Sequence, residues 1–123
     1  MATTEMTEQN FDEIVTTNDI VFIDFWAAWC GPCRSFAPTY EKVSEKHPDI
    51  VFAKVDTEAA QGLASSFAIM SIPTLMIMRE NVVLFSQAGA LPEAALEELI
   101  EKVRELDMQE VHRSVLEQQS AHS

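Results

Sequence analysis

The sequence predicts an α/β domain with a central sheet that helices cover on both faces. Short apolar, β-branched runs alternate with segments of helical periodicity, in the order strand, helix, strand, helix, strand, hairpin, helix. Three of the apolar runs are continuous, as expected for strands buried on both faces. A chain of 123 residues suits one domain with a real core, so we expect a domain at 1–106 and a helical extension at 107–123.

Four strands are predicted from apolar runs. They are "IVFIDF" at 20–25, "IVFAKV" at 50–55, "TLMIM" at 74–78 and "VVLFS" at 82–86. The short polar connection at Glu80 and Asn81 predicts a hairpin in which Asn81 takes a positive φ. A further strand around Met6 is weak, and "MATTE" is expected to be loose.

Helical patterns lie between these strands. Asn10 and Glu13 resemble a capping box ahead of a first helix. Apolar residues recur at helical spacing from Gly31 to Lys46, where Pro38 predicts a kink. The segment 57–68 is a weaker helix, because Gly62 costs about 1 kcal/mol relative to alanine.

The last segment, from Pro92 onward, carries two apolar stripes. The first is Leu96, Leu99, Ile100, Val103 and Leu106; the second is Met108, Val111 and Val115. At about 100° per residue the two stripes are rotated by roughly 110°, so one straight helix cannot bury both against one sheet. We expect a docked helix to about Leu106, then a helical piece that turns back or faces something else, with a frayed end at "EQQSAHS".

Composition argues against several classes of partner. Twenty acidic residues against eight basic ones give a formal net charge of −12, which repels phosphate backbones and anionic lipids. We therefore expect no nucleic acid and no membrane among the partners. The N-terminal segment "MATTEMTEQNF" lacks the basic residues and the following apolar run that a secretory signal requires. We therefore expect a cytoplasmic location. In that compartment a lone cysteine pair is more often catalytic or metal-binding than structural.

The two cysteines, Cys30 and Cys33, lie in "CGPC" where a buried strand gives way to a helix. Residues three apart on a first helical turn lie about 5 to 6 Å apart, within reach of a disulfide. The helix N-terminus stabilises negative charge and favours a thiolate at Cys30. Cys33, one turn deeper, is expected to be less exposed and to remain a neutral thiol. This asymmetry predicts that Cys30 attacks a substrate disulfide and Cys33 resolves the mixed disulfide.

A structural staple and a metal site are the alternatives for this pair. A disulfide that closes a four-residue loop removes only ~2 kcal/mol of unfolded-state entropy, so it would be a poor staple. Zinc needs two further ligands, and the three histidines, His47, His112 and His122, form no paired motif. We expect no metal.

The sequence resembles the thioredoxin family over roughly residues 6–106. "IDFWAAWCGPC" at 23–33 matches the family's active-site pattern, and "AKVD" at 53–56, "SIPTLMIM" at 71–78 and "AGAL" at 88–91 follow in its order. The resemblance implies a thioredoxin fold, with a mixed five-stranded sheet flanked by four helices. It also implies a monomer that reduces protein disulfides without a cofactor. The implied partners are disulfide-containing substrate proteins and a thioredoxin reductase, which restores the dithiol.

The resemblance also assigns residues around the cysteines. Asp24 would accept the proton of Cys33, because burial should raise the pKa of its carboxyl, and Lys54 would be its charge partner. The alternative is that Asp24 is a structural carboxylate. Pro73 would be cis, although base rates for X–Pro bonds favour trans, and Trp29 would be an exposed platform while Trp26 packs in the core. The expected substrate-binding residues are Trp29, Gly31, Pro32, Ile72, Pro73 and Gly89.

The residues are also compatible with two other functions. The same chemistry run in reverse would make an oxidase or isomerase, although Gly-Pro between the cysteines resembles reductases more. A binding module in which redox chemistry is incidental is the third. Met70 is expected to pack or to line the substrate groove, and the extension is either a solvated helix or a partner surface.

Overall fold

The computed structural model describes residues 2–121. Within these residues a five-stranded sheet is surrounded by five helices, which confirms the expected fold and its helical extension. In chain order the elements are β1 (Thr3–Glu5), α1 (Phe11–Thr17), β2 (Ile20–Trp26), α2 (Gly31–Lys46), β3 (Val51–Asp56), α3 (Gln61–Ser66), β4 (Thr74–Arg79), β5 (Val82–Ala88), α4 (Glu93–Glu105) and α5 (Met108–Ala121).

The sheet is mixed, with strand order β1-β3-β2-β4-β5. β3 pairs in parallel with both β1 and β2, whereas β4 pairs antiparallel with β2 and with β5. The connection from β2 through α2 to β3 is a parallel crossover, which needs a helix to cover the sheet. The carboxyl ends of β2 and β3 therefore meet at one edge of the sheet, where the cysteine motif begins.

Alternate residues of β2 belong to two separate cores. Ile20 and Phe22 pack with residues of α2 and α4, including Phe36, Tyr40 and Ile100. Val21, Ile23 and Phe25 pack on the other face with residues of α1 and α3, among them Val15 and Leu63. Because side chains alternate along a strand, both faces of β2 are buried, which explains its continuous apolar sequence.

The N-terminus differs from the sequence-based expectation. Residues 3–5 of "MATTE" are paired in β1 rather than loose, while Met1 lies outside the described residues. Met6, expected to be the centre of the strand, follows it and donates its backbone N–H to the Lys54 carbonyl at 2.8 Å. The Glu41 carboxylate on α2 accepts from the Ala2 N–H at 2.8 Å and the Thr3 Oγ1 at 2.7 Å. These contacts from α2 hold β1 in place.

Two helix predictions need correction. Asn10 occupies the N-cap position of α1 but makes no capping bond with its side chain, which instead accepts from the Thr7 N–H and donates to the Glu5 carbonyl. The helix expected over 57–68 is confined to Gln61–Ser66, preceded by a turn in which the Asp56 side chain accepts the Glu58 N–H. Aspartate favours such turns, because its side chain competes with the helix for backbone donors.

The hairpin between β4 and β5 agrees with the prediction and extends it. Asn81 has a φ of 65°, as expected, and Glu80 has a φ of 51°. Two consecutive positive φ values are those of a type I′ turn, whose twist matches the flanking strands. The sequence identified Asn81 but gave no sign of Glu80, because glutamate rarely adopts this conformation.

The C-terminal segment consists of two helices, as predicted. α4 buries Leu96, Ile100 and Val103, while Leu106, just past its end, is 40% exposed. α5 buries Met108, and its His112 lies against Glu80 in the β4–β5 turn at 2.8 Å. Of the segment expected to fray, residues 117–121 are helical, and residues 122 and 123 lie outside the described part. Among residues 2–121, no helix has the length and apolar character that crossing a membrane requires.

Candidate active site

The two cysteines lie at the start of α2, just beyond the carboxyl end of β2. Cys30 is the N-cap residue in an extended conformation, and Pro32 occupies the first turn, where its missing N–H removes no helical bond. Cys30 and Cys33 are joined by a disulfide, with their Cα atoms 5.2 Å apart. The backbone N–H of Cys33 donates to the Cys30 sulfur at 3.2 Å. A disulfide can therefore form and break here without disturbing the helix.

Exposure does not distinguish the two cysteines as strongly as expected. Cys30 is 4% and Cys33 is 2% exposed, so both are buried in the oxidised state. What differs is their surroundings, since Cys30 Sγ lies at the helix N-terminus and 3.7 Å from the Ile72 carbonyl oxygen. A Cβ added to Gly31 would meet no atom within 4 Å, so the chain beside Cys30 is open to an approaching partner. The described residues contain no cluster of three or more metal-ligating side chains.

The loop before β4 faces the cysteines. The Ile72–Pro73 peptide bond is cis, and Pro73 is buried. The Pro73 carbonyl accepts the N–H of Gly89 at 2.8 Å, and Gly89 has a φ of 105°, which favours glycine. The structure thus brings Cys30, Ile72, Pro73 and Gly89 together, although they are distant in the sequence.

Asp24 lies in the middle of β2 on the face that packs against α2. It is 1% exposed, and its Oδ1 atom has no hydrogen-bond partner in the described part of the chain. Burial raises the pKa of Asp24 from its ordinary 3.8 to about 7, and the nearby charge of Lys54 opposes this shift more weakly. Burial, and to a smaller degree the charge of Asp24, also raises the pKa of Tyr40. Near neutral pH this carboxyl can therefore take up or release a proton.

Lys54 is the register partner of Asp24 on the neighbouring parallel strand. It forms no ion pair with Asp24 within 4.0 Å; its Nζ lies 4.9 Å from the centre of the Trp26 ring. Trp26 is half-buried rather than part of the core, which corrects the expectation for that residue. Both residues line an open groove of about 690 Å³ on the α2 face, together with Thr3, Glu5, Ala37, Pro38, Glu41 and Asp56.

Trp29 lies on the surface beside the cysteines and is 68% exposed. Its indole Nε1–H donates to the Glu58 carboxylate at 2.5 Å. Sequence reasoning missed Glu58, because 29 residues separate the partners and nothing local links them. Arg34, also not anticipated, donates from Nη1 to the Ala28 carbonyl at 2.8 Å and fastens the loop before Cys30 to α2.

The arrangement suits a two-electron exchange between thiols and disulfides. It combines a cysteine pair at a helix N-terminus with a buried carboxyl that titrates near neutral pH and a cis-proline loop beside the sulfurs. The N-terminal amides stabilise a thiolate, and thiolates are the species that attack disulfides.

Comparison with known sequences points to one family. The family model described as thioredoxin matches residues 2–102. The chain is 60% identical over 119 residues to a protein named putative thioredoxin 2 from Streptomyces coelicolor, covering 97% of this chain and 89% of that protein. It is 37% identical over 103 residues to the thioredoxin of Bacillus subtilis, covering 83% of this chain and 98% of that one.

Solved structures agree with the sequences. A Plasmodium falciparum thioredoxin superposes with a TM-score of 0.75 at 36% identity, covering 80% of this chain and 97% of that chain. The short form of spinach chloroplast thioredoxin f gives a TM-score of 0.77 at 36% identity, covering 84% and 94%.

Proposed function

Because the chain belongs to the thioredoxin family and is a thiol-disulfide oxidoreductase that reduces protein disulfides, we propose that Cys30 is its nucleophile and Cys33 its resolving thiol. The Cys30 thiolate bonds to one substrate sulfur while the substrate S–S bond breaks and the other sulfur leaves as a thiolate. Cys33 then attacks Cys30 Sγ, which releases the second substrate thiolate and leaves the Cys30–Cys33 disulfide. Two electrons pass from the dithiol to the substrate.

The position of Cys30 supports this division of roles. Once the pair is reduced, the Cys33 N–H and the positive end of the α2 dipole stabilise a thiolate at Cys30. Cys33 has no comparable position, since it lies inside the first turn. It therefore remains protonated until a base removes its proton.

Asp24 is proposed as that base, and its buried carboxyl oxygen without a partner is the observation that carries the proposal. A base works best when its pKa lies near the working pH, and the pKa of Asp24 is about 7. Lys54 is proposed to hold this pKa below the value that burial alone would give.

Substrate proteins are proposed to bind as extended chains along the cis-proline loop. The Ile72 backbone would pair with the substrate, while Pro73 and Gly89 shape the loop. Trp29, Gly31 and Pro32 are proposed to supply the open surface on the other side of Cys30.

A thioredoxin reductase is proposed to return electrons to the disulfide, because the family works in this way. We further propose a monomer that acts in the cytoplasm, where reducing conditions keep such a pair reduced. Residues 1–106 would be the catalytic unit and residues 107–123 an extension of it. The molar mass measured by light scattering after size-exclusion chromatography tests whether the protein is a monomer, and the mass of a dimer would contradict this proposal.

Substrate trapping tests the roles of the two cysteines. Cys33→Ser should accumulate a covalent adduct with a disulfide substrate, visible on non-reducing gels and lost on adding dithiothreitol. The matched variant Cys30→Ser should form no adduct and lose at least about 10³-fold in reductase activity. Wild-type activity in Cys30→Ser would rule out the proposal.

The role of Asp24 has its own kinetic test. Asp24→Asn should slow resolution about 10²-fold at pH 7 while the first attack by Cys30 proceeds at the wild-type rate. Stopped-flow release of the two substrate thiolates separates these steps. If both steps keep their wild-type rates, Asp24 is not the proton acceptor.

A further inference from the structure

The side chain of Met70 differs from every other sulfur-bearing side chain among residues 2–121 in its exposure. Met70 is 93% exposed. The others are buried, none of them more than 7% exposed; they are Cys30, Cys33, Met6, Met76, Met78 and Met108. In the disulfide form of the described chain, the thioether of Met70 is therefore the sulfur that a dissolved oxidant reaches first.

The backbone on both sides of Met70 holds this side chain at the surface. Ala68 has a φ of 54°, and the following Ile69 N–H returns to the Ala64 carbonyl at 2.9 Å. Beyond Met70, the Ser71 carbonyl accepts the Thr74 hydroxyl at 2.6 Å. The exposure of Met70 thus belongs to a loop with defined hydrogen bonds on either side.

This thioether lies beside the reacting cysteines. Met70 and Ile72 line the same open groove of about 340 Å³, and the Ile72 carbonyl oxygen lies 3.7 Å from Cys30 Sγ. Residues 67–73 carry no charged side chain, so the polarity of this surface depends on uncharged groups. A chemical change at Met70 therefore alters the surface next to the site of disulfide exchange.

The groove has few hydrogen-bond donors to offer to an added oxygen atom. The Thr57 hydroxyl already donates to the Trp26 carbonyl at 3.0 Å, and the Trp29 indole N–H donates to the Glu58 carboxylate at 2.5 Å. Among the lining side chains, this leaves only the Ser71 hydroxyl as a further donor. An oxygen bonded to the thioether would thus be hydrogen-bonded mainly by water.

We infer that Met70 is a modification site at which a hydroperoxide oxidises the thioether to a sulfoxide, and that this sulfoxide slows the reduction of protein disulfides. The Met70 sulfur attacks one peroxide oxygen, so that an S–O bond forms while the O–O bond breaks. Two electrons pass from the sulfur to the peroxide, and the proton of the attacked oxygen moves to the oxygen that leaves as water or an alcohol.

Oxidation at this position acts on docking rather than on the cysteines. The sulfoxide is an uncharged but strongly polar acceptor, whereas the thioether is apolar. A protein that docks along the cis-proline loop removes the water from this acceptor, and an acceptor buried without a partner weakens the complex. A small disulfide can reach Cys30 without covering Met70. The inference rests on the proposed function, in which protein disulfides bind along that loop.

Peroxide treatment of the disulfide form tests the inference. Hydrogen peroxide is added to wild type and then removed, and fragment-ion mass spectrometry locates the added oxygen. Met70 should take up one oxygen at least about tenfold faster than the buried Met76 and Met78. The kcat/KM for a protein disulfide should then fall about fivefold, while the rate with a small uncharged disulfide stays unchanged.

Two substitutions at Met70 separate its oxidation from damage elsewhere. Met70→Leu cannot take up the oxygen, so its activity on the protein disulfide should be the same before and after treatment. Because this variant keeps Met1, which lies outside the described residues, it also excludes an effect of oxidation there. Met70→Gln places a polar acceptor at the same position and should reduce the protein disulfide more slowly than Met70→Leu without any peroxide.

Several results would overturn the inference. Equal oxidation of Met70, Met76 and Met78 would contradict the site, and an unchanged rate with the protein disulfide after Met70 is oxidised would contradict its effect. An equal loss of activity in Met70→Leu, or with the small disulfide, would place the damage elsewhere. If untreated wild type reduces no protein disulfide, the proposed function itself fails, while the mass spectrum still decides whether Met70 is the modification site.

Discussion

At the scale of single residues, the burial of Asp24 links the stability of the fold to pH. Its pKa of about 7 exceeds its ordinary 3.8, so between these pH values the folded protein binds more protons than the unfolded chain. The stability that follows is present below pH 4 and is lost as the pH rises through 7. At about 1.4 kcal/mol per pKa unit, ionised Asp24 destabilises the fold by about 4 kcal/mol.

Asp24→Asn should remove this pH dependence. The unfolding free energy of the variant minus that of wild type should grow by about 4 kcal/mol between pH 4 and pH 8. Denaturant titrations of the oxidised proteins at several pH values measure the difference, because disulfide-bonded cysteines do not titrate.

The matched control for this prediction is Asp12→Asn on α1, where the carboxylate is exposed. Its difference from wild type should change by less than about 0.5 kcal/mol over the same pH range. A flat Asp24→Asn curve would show that the carboxyl is solvated in solution.

Which residues could be predicted depended on whether their signal was local. A lone acid inside an apolar run and two cysteines three apart are visible in the sequence. The Trp29–Glu58 hydrogen bond and the contact of Lys54 with the Trp26 ring depend on contacts between distant segments, and no periodicity encodes them. The same holds for Glu41, which fixes β1 from α2.

At the scale of elements, α5 is attached to the end of the sheet opposite the cysteines. Asp107 starts it by accepting the Gln109 N–H at 3.0 Å, and His112 contacts Glu80 in the β4–β5 turn at 2.8 Å. That turn follows Arg79, which pairs with Ile20 at the start of β2, whereas the cysteines follow the end of β2. This placement accounts for the two rotated stripes, because α4 buries most of the first stripe, whereas α5 buries Met108 and leaves Val111 and Val115 half-buried.

Met108→Ala should therefore destabilise the protein without affecting catalysis. Met108 is 7% exposed, and truncating a buried methionine should lower the unfolding free energy by about 2 kcal/mol. Denaturant unfolding measures the loss, and kcat/KM should match wild type. Leu116→Ala, on the exposed side of α5, should stay within about 0.5 kcal/mol. Equal stability losses in both variants would contradict this account of how α5 docks.

Strand positions were predictable to within one or two residues because buried strands have continuous apolar sequences. The shorter α3 was not, since Asp56 and Glu58 form a turn where helical periodicity continues. The Asn10 side chain could either cap α1 or bond to the turn before it, and the structure shows local hydrogen bonds to Glu5 and Thr7 in that turn.

At the scale of the whole molecule, the residues alone left the strand order open, because a parallel crossover through α2 and two antiparallel pairings are compatible with more than one sheet. The family resemblance specified a mixed five-stranded sheet, and the structure gives the order β1-β3-β2-β4-β5. The net charge of −12, in contrast, is a whole-molecule property that the sequence states directly. It acts on association, because the field of a charged protein steers partners before contact.

The charge makes a prediction about substrates of opposite sign. A protein disulfide substrate with net positive charge should be attracted and one with net negative charge repelled. Raising ionic strength from about 0.02 M to 0.5 M shortens the Debye length to a few ångströms. We expect kcat/KM to fall several-fold for the basic substrate and to rise for the acidic one.

A small uncharged disulfide separates this field from the chemistry. The loops at 69–73 and 88–92 that flank the cysteines carry no charged side chain, so the rate with that disulfide should not depend on salt. If kcat/KM for the basic, the acidic and the uncharged substrate all changed with salt in the same way, a charge would have to act within the active site itself. That result would contradict the expectation that the surface around the cysteines is neutral although the protein as a whole is acidic.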